Sequence, residues 1–428
     1  MEKATIQCID CGRAHSPGAL YRCECGGLLE VVPNMEYLRE NVSCGLFDSR
    51  LRLRNPPYGS GVWRFRELVH PFAGDEDIVS RPEGNTNLYR HKKVSSYTVI
   101  DDICLKHEGE NPTGSFKDRG MTVGMSEAKR LGMKQVACAS TGNTSASMAA
   151  YASMAGLKPI VFIPDGEIAF GKLSQALAYG AQVIQIKGNF DDAMSLVQES
   201  SNALGIYLLN SINPWRVEGQ KSIMFELIQQ FSWESPDWVI VPAGNLGNTS
   251  AFGKALFEMK ELGFIEKIPK IAAIQATGAN PFYSMWAKKA GELPAVQHPK
   301  TIATAIKIGN PVSWKKAMKA IKYTKGLVEE VTDQEIMDAK AMIDASGIGC
   351  EPASAASVAG AKKLREKGAI DKKDRVVCII TGNILKDPDA TINYHLGRLE
   401  HIKSTYGNKP VVIEPNLGSV KKVLSISS

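Results

Sequence analysis

The chain has 428 residues, 44% hydrophobic and 22% charged, a composition that fits a folded protein with two or three domains and excludes disordered and fibrous classes. Its formal charge of +6 is spread in short pairs such as Lys362-Lys363, Lys372-Lys373 and Lys421-Lys422, so nucleic acid is not an expected partner and anionic small molecules are. There is no apolar span of about 18 residues and no charged-then-apolar leader, so neither membrane insertion nor secretion is expected, and the cytoplasm is the default location.

Nine cysteines without a secretory leader argue for reduced thiols or a metal and against a disulfide framework. Four of them open the chain. Cys8-x-x-Cys11 and Cys23-x-Cys25, the latter followed by Gly26-Gly27, have the form of the two thiolate knuckles of a zinc ribbon. The second knuckle is one residue shorter than Cys-x-x-Cys, so a structural zinc and a metal-free remnant of the ribbon both fit. Cys44, Cys104, Cys138, Cys350 and Cys378 are scattered, and those in apolar runs such as Val377-Cys378-Ile379-Ile380 read as small core residues.

After the apolar run Ile103-Cys104-Leu105 comes Asn111-Pro112-Thr113-Gly114-Ser115-Phe116-Lys117-Asp118-Arg119-Gly120. Pro112 and Gly114 punctuate a turn, and Asp118 is placed to cap a helix running through Met121, Val123, Ala128 and Leu131. Lys117 then stands at a loop-to-helix junction, where a desolvated amine can condense with an aldehyde or ketone. By composition alone, a solvated lysine in a Gly/Pro turn fits as well.

An apolar strand-like run followed by a turn containing Gly-Asn recurs three times. Gln135 to Ala139 leads into Ser140-Thr141-Gly142-Asn143-Thr144; Trp238 to Val241 leads towards Gly244-Asn245-Leu246-Gly247-Asn248; Val376 to Ile380 leads into Thr381-Gly382-Asn383. Short buried runs alternating with amphipathic helices indicate a parallel sheet covered on both faces, and such sheets bind ligands beyond the carboxyl ends of their strands. Gly244 to Asn248 is a phosphate-cradle candidate, because glycines let backbone N–H groups close on oxygens ahead of a helix, although such turns also occur for packing. Neither nucleotide-binding glycine motif is present.

Further on, Asn210-Ser211-Ile212-Asn213-Pro214-Trp215-Arg216-Val217-Glu218-Gly219-Gln220-Lys221 joins a bidentate-capable Arg to amide, hydroxyl and Lys donors, a set suited to a phosphate monoester and equally readable as a surface turn before a helix. Glu351 before Pro352 reads as a helix cap at the edge of the site, and Pro410 to Pro415 as an edge strand.

The decapeptide around Lys117 resembles the Schiff-base lysine motif of threonine synthases, within the fold type II pyridoxal 5'-phosphate enzymes, and the likeness runs from about residue 80 to about residue 390. The resemblance implies an α/β fold type II enzyme like the tryptophan synthase β chain, with two α/β domains built on parallel sheets and an N-terminal zinc-ribbon-like module. The implied parts are a module at 1–32, a large cofactor-binding domain at 33–119 and 223–405, a small domain at 120–222 and a tail at 406–428, in a possible homodimer. It implies pyridoxal phosphate bound by Lys117, Phe116, Asn143 at the ring 3'-oxygen, Gly244, Asn245, Leu246, Gly247 and Asn248 at the phosphate, and Thr381 at the ring nitrogen. Ser140, Thr141, Gly142 and Thr144 would receive the substrate carboxylate, while Asn210, Ser211, Arg216 and Lys221 would receive the phosphate of O-phosphohomoserine. Asn383 departs from the family, which often has His there. Glu83-Gly84-Asn85-Thr86-Asn87-Leu88 also matches, near the site entry, without a catalytic role. A threonine or serine dehydratase shares the lysine and the cradle but needs no site for substrate phosphate; an adaptor on an inactive scaffold would have no use for either.

Overall fold

The structure, a computed structural model, describes residues 2–16, 18–165, 170–188 and 190–425. Strand β1 (Ala4–Cys8) pairs antiparallel with β2 (Ala14–His15) and β3 (Leu29–Pro33), forming a small sheet that carries Cys8 at the end of β1 and Cys11, Cys23 and Cys25 in its connections. Alternate residues of β1, namely Ala4, Ile6 and Cys8, are buried, the pattern of a sheet with one face on a core.

β4 (Leu88–Tyr89), β5 (Asp102–His107), β6 (Gln135–Ala139), β7 (Lys158–Pro164), β8 (Gln182–Ile186), β9 (Tyr207–Leu208), β10 (Trp238–Pro242), β11 (Lys270–Ala276), β12 (Leu327–Val331) and β13 (Arg375–Ile380) follow. They divide into a six-stranded sheet of order β12-β11-β10-β13-β5-β4, parallel except for β4, and a parallel four-stranded sheet of order β8-β7-β6-β9. Runs such as Val239-Ile240-Val241 and Val376 to Ile380 are fully buried, as strands covered by helices on both faces must be.

Two helices join the sheets. Lys117–Arg130 puts Val123 into the core of the larger sheet and Met121, Met125 and Ala128 into that of the smaller. It crosses the helix Pro214–Gln230 with backbones touching: a Cβ on Gly219 would sit on the Arg119 carbonyl, and one on Gly120 would lie 2.7 Å from the Arg216 carbonyl oxygen. The boundaries expected at 119/120 and 222/223 therefore fall inside these two crossed helices, the first of which serves both cores while the second, through Trp215, Val217, Ile223 and Phe225, packs into the larger.

Beneath this crossing lies a buried ionic network. Glu226 accepts from Lys106 (2.6 Å), Arg119 (2.8 Å) and the amides of Asn85 (2.7 Å) and Thr86 (2.9 Å). Gly84 in turn donates its amide to Asn111, so the Glu83 to Leu88 segment is scaffolding for the lysine loop. The edge strand expected at Pro410 to Pro415 is not formed: Val411, Val412 and Ile413 are exposed, and the prolines at both ends lack the N–H a sheet edge would use. A helix, Leu417–Ser425, follows.

Candidate active site

Lys117 is the first residue of its helix, and the loop before it is bonded to the end of β13. The Phe116 amide donates to the Thr381 carbonyl (3.0 Å), the Asn383 amide to that of Gly114 (2.9 Å), and Ser115 pairs with Gly382. Gly114 makes the turn at φ 84°, a region that favours glycine. Asp118 does not cap the helix as expected, because Phe116 occupies the cap position; its buried carboxylate instead accepts from the amide (2.7 Å) and hydroxyl (2.6 Å) of Thr113 and locks the loop from inside.

The Lys117 amine lies 4.2 Å from the centroid of the Phe116 ring. Desolvation, helped by the Arg216 guanidinium and opposed by Glu351, brings its pKa down to about 7, so much of it is neutral, nucleophilic amine near neutrality.

The Gly244 to Asn248 turn ends β10 and opens the helix Gly247–Glu261. Leu246, at the cap, is left-handed at φ 63°, a conformation sustained by its burial in the larger core. Among the described residues, no acceptor meets the amide N–H groups of Gly244, Asn245, Leu246, Gly247 or Asn248. The buried hydroxyls of Thr249 and Ser313 also lack partners among the described residues. Gly244 has no room for a side chain, since a Cβ would lie 2.9 Å from the Ile306 Cα. Unsatisfied donors gathered at a helix N-terminus suit a phosphate, so these residues fit the phosphate of pyridoxal phosphate. The Asn245 side chain donates one hydrogen to Ser211 (2.6 Å) and accepts from the Val312 amide (2.9 Å), which fixes the turn against two neighbouring loops.

At the end of β6, Ser140 accepts from the Gly142 amide (3.2 Å), and Asn143 opens the helix Asn143–Ala155. The amides of Asn143, Thr144 and Ser145 have no acceptor among the described residues, and Thr141 and Thr144 are half-buried beside them. Asn143 is not a cap; its amide group donates to the Glu351 carboxylate at 3.0 Å. Thr381, at the end of β13, donates to the same carboxylate (3.2 Å) and contacts the Ser354 hydroxyl (2.9 Å). Glu351 therefore links the two expected ring contacts. The cap expected of Glu351 is absent, its side chain making no capping bond to the helix Pro352–Glu366 because it reaches across to the other two strand ends. Burial pushes its pKa up, against the pull of Asn143 and Lys386.

The loop after β9 holds the remaining donors. Asn210 uses its side chain on both backbone groups of Ala139 (3.0 and 3.1 Å), which leaves one amide hydrogen for a ligand. Arg216 is 2% exposed, donates from Nη1 to the Leu209 carbonyl (2.8 Å), has an unpartnered Nε and has no carboxylate partner among the described residues. Burial alone lowers its pKa to about 10, still fully charged at neutral pH. A buried guanidinium without a counter-ion is an anion site. Lys221 is a correction: its amine is held by Glu218 (2.6 Å), Glu258 (2.7 Å) and the Leu68 carbonyl (2.7 Å), leaving nothing for substrate, because its helix turns that face into the core.

Asn383 caps a short turn by accepting from the Leu385 amide (3.0 Å). Sequence reasoning missed Lys386, which bonds to Gln175 of the helix Phe170–Ala178 and feels the charges of Glu351 and Asp118. Its sequence signal was its place three residues after the Thr381-Gly382-Asn383 turn.

Away from this cleft, the sulfurs of Cys8, Cys11, Cys23 and Cys25 all lie within 4.8 Å of one another, with Cys8 and Cys25 at 3.5 Å and Cys11 and Cys23 at 3.6 Å. Zinc–thiolate bonds of about 2.3 Å set tetrahedral sulfurs roughly 3.8 Å apart, so the cage has the right size.

Comparison with known proteins supplies the family. Residues 79–382 match the family model described as "Pyridoxal-phosphate dependent enzyme". The chain is 48% identical over 420 residues to a threonine synthase of Methanocaldococcus jannaschii, covering 98% of each, and 42% identical over 417 residues to "Threonine synthase 2, chloroplastic" of Arabidopsis thaliana, covering 95% of this chain and 80% of the other. Its fold is that of the solved threonine synthase of Escherichia coli, with a TM-score of 0.69 at 17% identity over 99% of this chain and 100% of the other. On the lysine loop, the three strand ends and these relatives, the chain belongs to the threonine synthases, a branch of the pyridoxal-phosphate-dependent enzymes.

Proposed function

We propose that this threonine synthase converts O-phospho-L-homoserine and water to L-threonine and phosphate with Lys117 as cofactor anchor and proton carrier and Arg216 as the centre of the substrate-phosphate site. The observation that carries the reading is a desolvated lysine that feels the charge of a buried arginine with no carboxylate partner among the described residues. Pyridoxal phosphate, when bound, supplies an aldehyde for the amine and a conjugated ring that delocalises the electrons released at the substrate α-carbon.

The amides of Gly244 to Asn248, with the Thr249 and Ser313 hydroxyls, would hold its phosphate; Asn143 would meet the 3'-oxygen and Thr381 the ring nitrogen. A neutral hydroxyl at Thr381 leaves that nitrogen less electron-withdrawing than an aspartate would, which suits elimination and replacement. Ser140, Thr141, Gly142 and Thr144 would orient the substrate carboxylate. Lys117 Nζ, neutral in part near pH 7, would take the α-proton and return protons later. Arg216, the free hydrogen of Asn210 and the Ser211 hydroxyl would hold the departing phosphate.

Replacing Lys117 with Ala is expected to abolish both the visible absorbance of the cofactor and turnover. Substantial threonine formation by that variant would sink the assignment. Phosphate release from O-phosphohomoserine, measured against 2-oxobutyrate release from threonine, separates this reading from a dehydratase.

We also propose that Cys8, Cys11, Cys23 and Cys25 hold one structural zinc. The size of the sulfur cage supports it, and elemental analysis of the purified protein tests it, one zinc per chain being the expected result.

A further inference from the structure

The cysteine module lies between the two cores, and one of its side chains ends on the strand that leads into the phosphate loop. On one side Ala4, Ile6, Leu29 and Val31 pack into the larger core. Lys254 bonds to the Val31 carbonyl, Lys316 to that of Leu29 (3.2 Å) and Lys315 to Asp10 (2.9 Å). On the other side Tyr21 and Leu28 pack into the smaller core.

Tyr21 is 7% exposed, and its hydroxyl accepts the amide of Leu208 at 2.7 Å. Its ring meets that of Tyr207 edge-on at 5.8 Å. Among the described residues β9 is the outer strand of its sheet and pairs with β6 alone, so the outward N–H of Leu208 meets no strand there, and Tyr21 supplies the acceptor. The next residue faces inward: the Leu209 amide donates to the Ala137 carbonyl (2.8 Å), and the Leu209 carbonyl receives Arg216 Nη1 (2.8 Å). Asn210 and Ser211 follow at once. A shift of β9 would therefore move every donor assigned to the substrate phosphate.

We infer that Tyr21 is a positioning residue for the substrate phosphate, fixing β9 and, through Leu209, the Arg216 guanidinium, and that a metal on the flanking Cys11 and Cys23 keeps Tyr21 in place. The inference rests on the phosphate-site and zinc readings above. Zinc on the thiolates would hold both ends of the loop that carries Tyr21, because each knuckle supplies two of the four ligands.

The test uses the purified holoenzyme. Tyr21→Phe keeps the ring contact with Tyr207 and removes the acceptor. Its KM for O-phosphohomoserine and its inhibition constant for inorganic phosphate are expected to rise about three- to tenfold, the equilibrium equivalent of one net hydrogen bond, with kcat changing less and the cofactor absorbance unmoved. The Leu208 amide is expected to exchange faster with deuterium. Stripping the metal with a chelator is expected to produce the same rise, and Tyr21→Phe to add little to it, since both act through one contact. An unchanged phosphate inhibition constant in Tyr21→Phe overturns the role of Tyr21. A stripped enzyme that keeps its phosphate affinity overturns the metal's part alone. Direct binding of inorganic phosphate without substrate keeps both outcomes separate from the assignment of the reaction.

Discussion

The Lys117 amine has its pKa lowered to about 7 by desolvation, with the like charge of Arg216 as the second cause. A lowered lysine pKa means that the neutral, reactive form grows as pH rises through 7, so reconstitution of the apoenzyme with pyridoxal phosphate is predicted to accelerate across that range and then level off. Arg216→Ala removes the like charge and admits water, so the midpoint of that rate profile should move to higher pH, which absorbance stopped-flow would show. The same variant is predicted to lower kcat/KM for O-phosphohomoserine about 10- to 150-fold, the value of a charged hydrogen bond of roughly 1.5 to 3 kcal/mol. A variant with unchanged kcat/KM would place the substrate phosphate elsewhere. The roles of Lys117 and Lys221 separate for a reason local sequence does not hold. Both lysines lie in helices near glycines, but Lys221 faces Glu218 and Glu258 in a core, whereas Lys117 has no acid bonded to it among the described residues.

The pairing of Lys117 with Arg216 depends on how closely their helices cross. Gly120 and Gly219 bring the two backbones into contact, which small residues at a crossing permit and a Cβ would prevent. Gly219→Ala is therefore predicted to cost about 1 to 3 kcal/mol of stability by overpacking, measurable by urea unfolding, and to raise the KM for O-phosphohomoserine as the Arg216 end of its helix is pushed outward. A variant of unchanged stability and KM would show that the crossing has slack. The strand-turn-helix units were legible because buried parallel strands need uninterrupted apolar runs and the turns after them need glycine. The part played by Glu351 was not, since a glutamate before Pro352 reads locally as a helix start, and only the meeting of the ends of β6 and β13 brings Asn143 and Thr381 to its carboxylate.

The two cores and the cleft between them are held by buried charge as well as by apolar packing. Burial would raise the pKa of Glu226, but Arg119, Lys106 and Arg64 outweigh it and hold the carboxylate well below the ordinary glutamate value of 4.5. A depressed carboxylate contributes its full stability above that ordinary value and loses it as pH falls below, so acid unfolding is predicted to begin there, and Glu226→Ala to be less stable by about 3 to 5 kcal/mol because Lys106 and Arg119 stay buried without it. A denaturation curve at neutral pH and a pH titration of the melting temperature check both, and an unmoved acid midpoint in the variant would assign acid unfolding to other groups. By itself the sequence determined the parallel α/β class and marked Lys117, the three Gly-Asn turns and the four clustered cysteines as candidates, because buried strands, glycine turns and thiolate knuckles each demand particular residues at short spacing. Only the tertiary structure decided that the Lys221 amine is held by Glu218 and Glu258, that Arg216 has no counter-ion among the described residues, that Glu351 joins Asn143 to Thr381 and that Tyr21 meets the amide of Leu208. Each of those depends on which distant groups share a buried volume, and that is set by the packing of helices and sheets, which short spacings do not record.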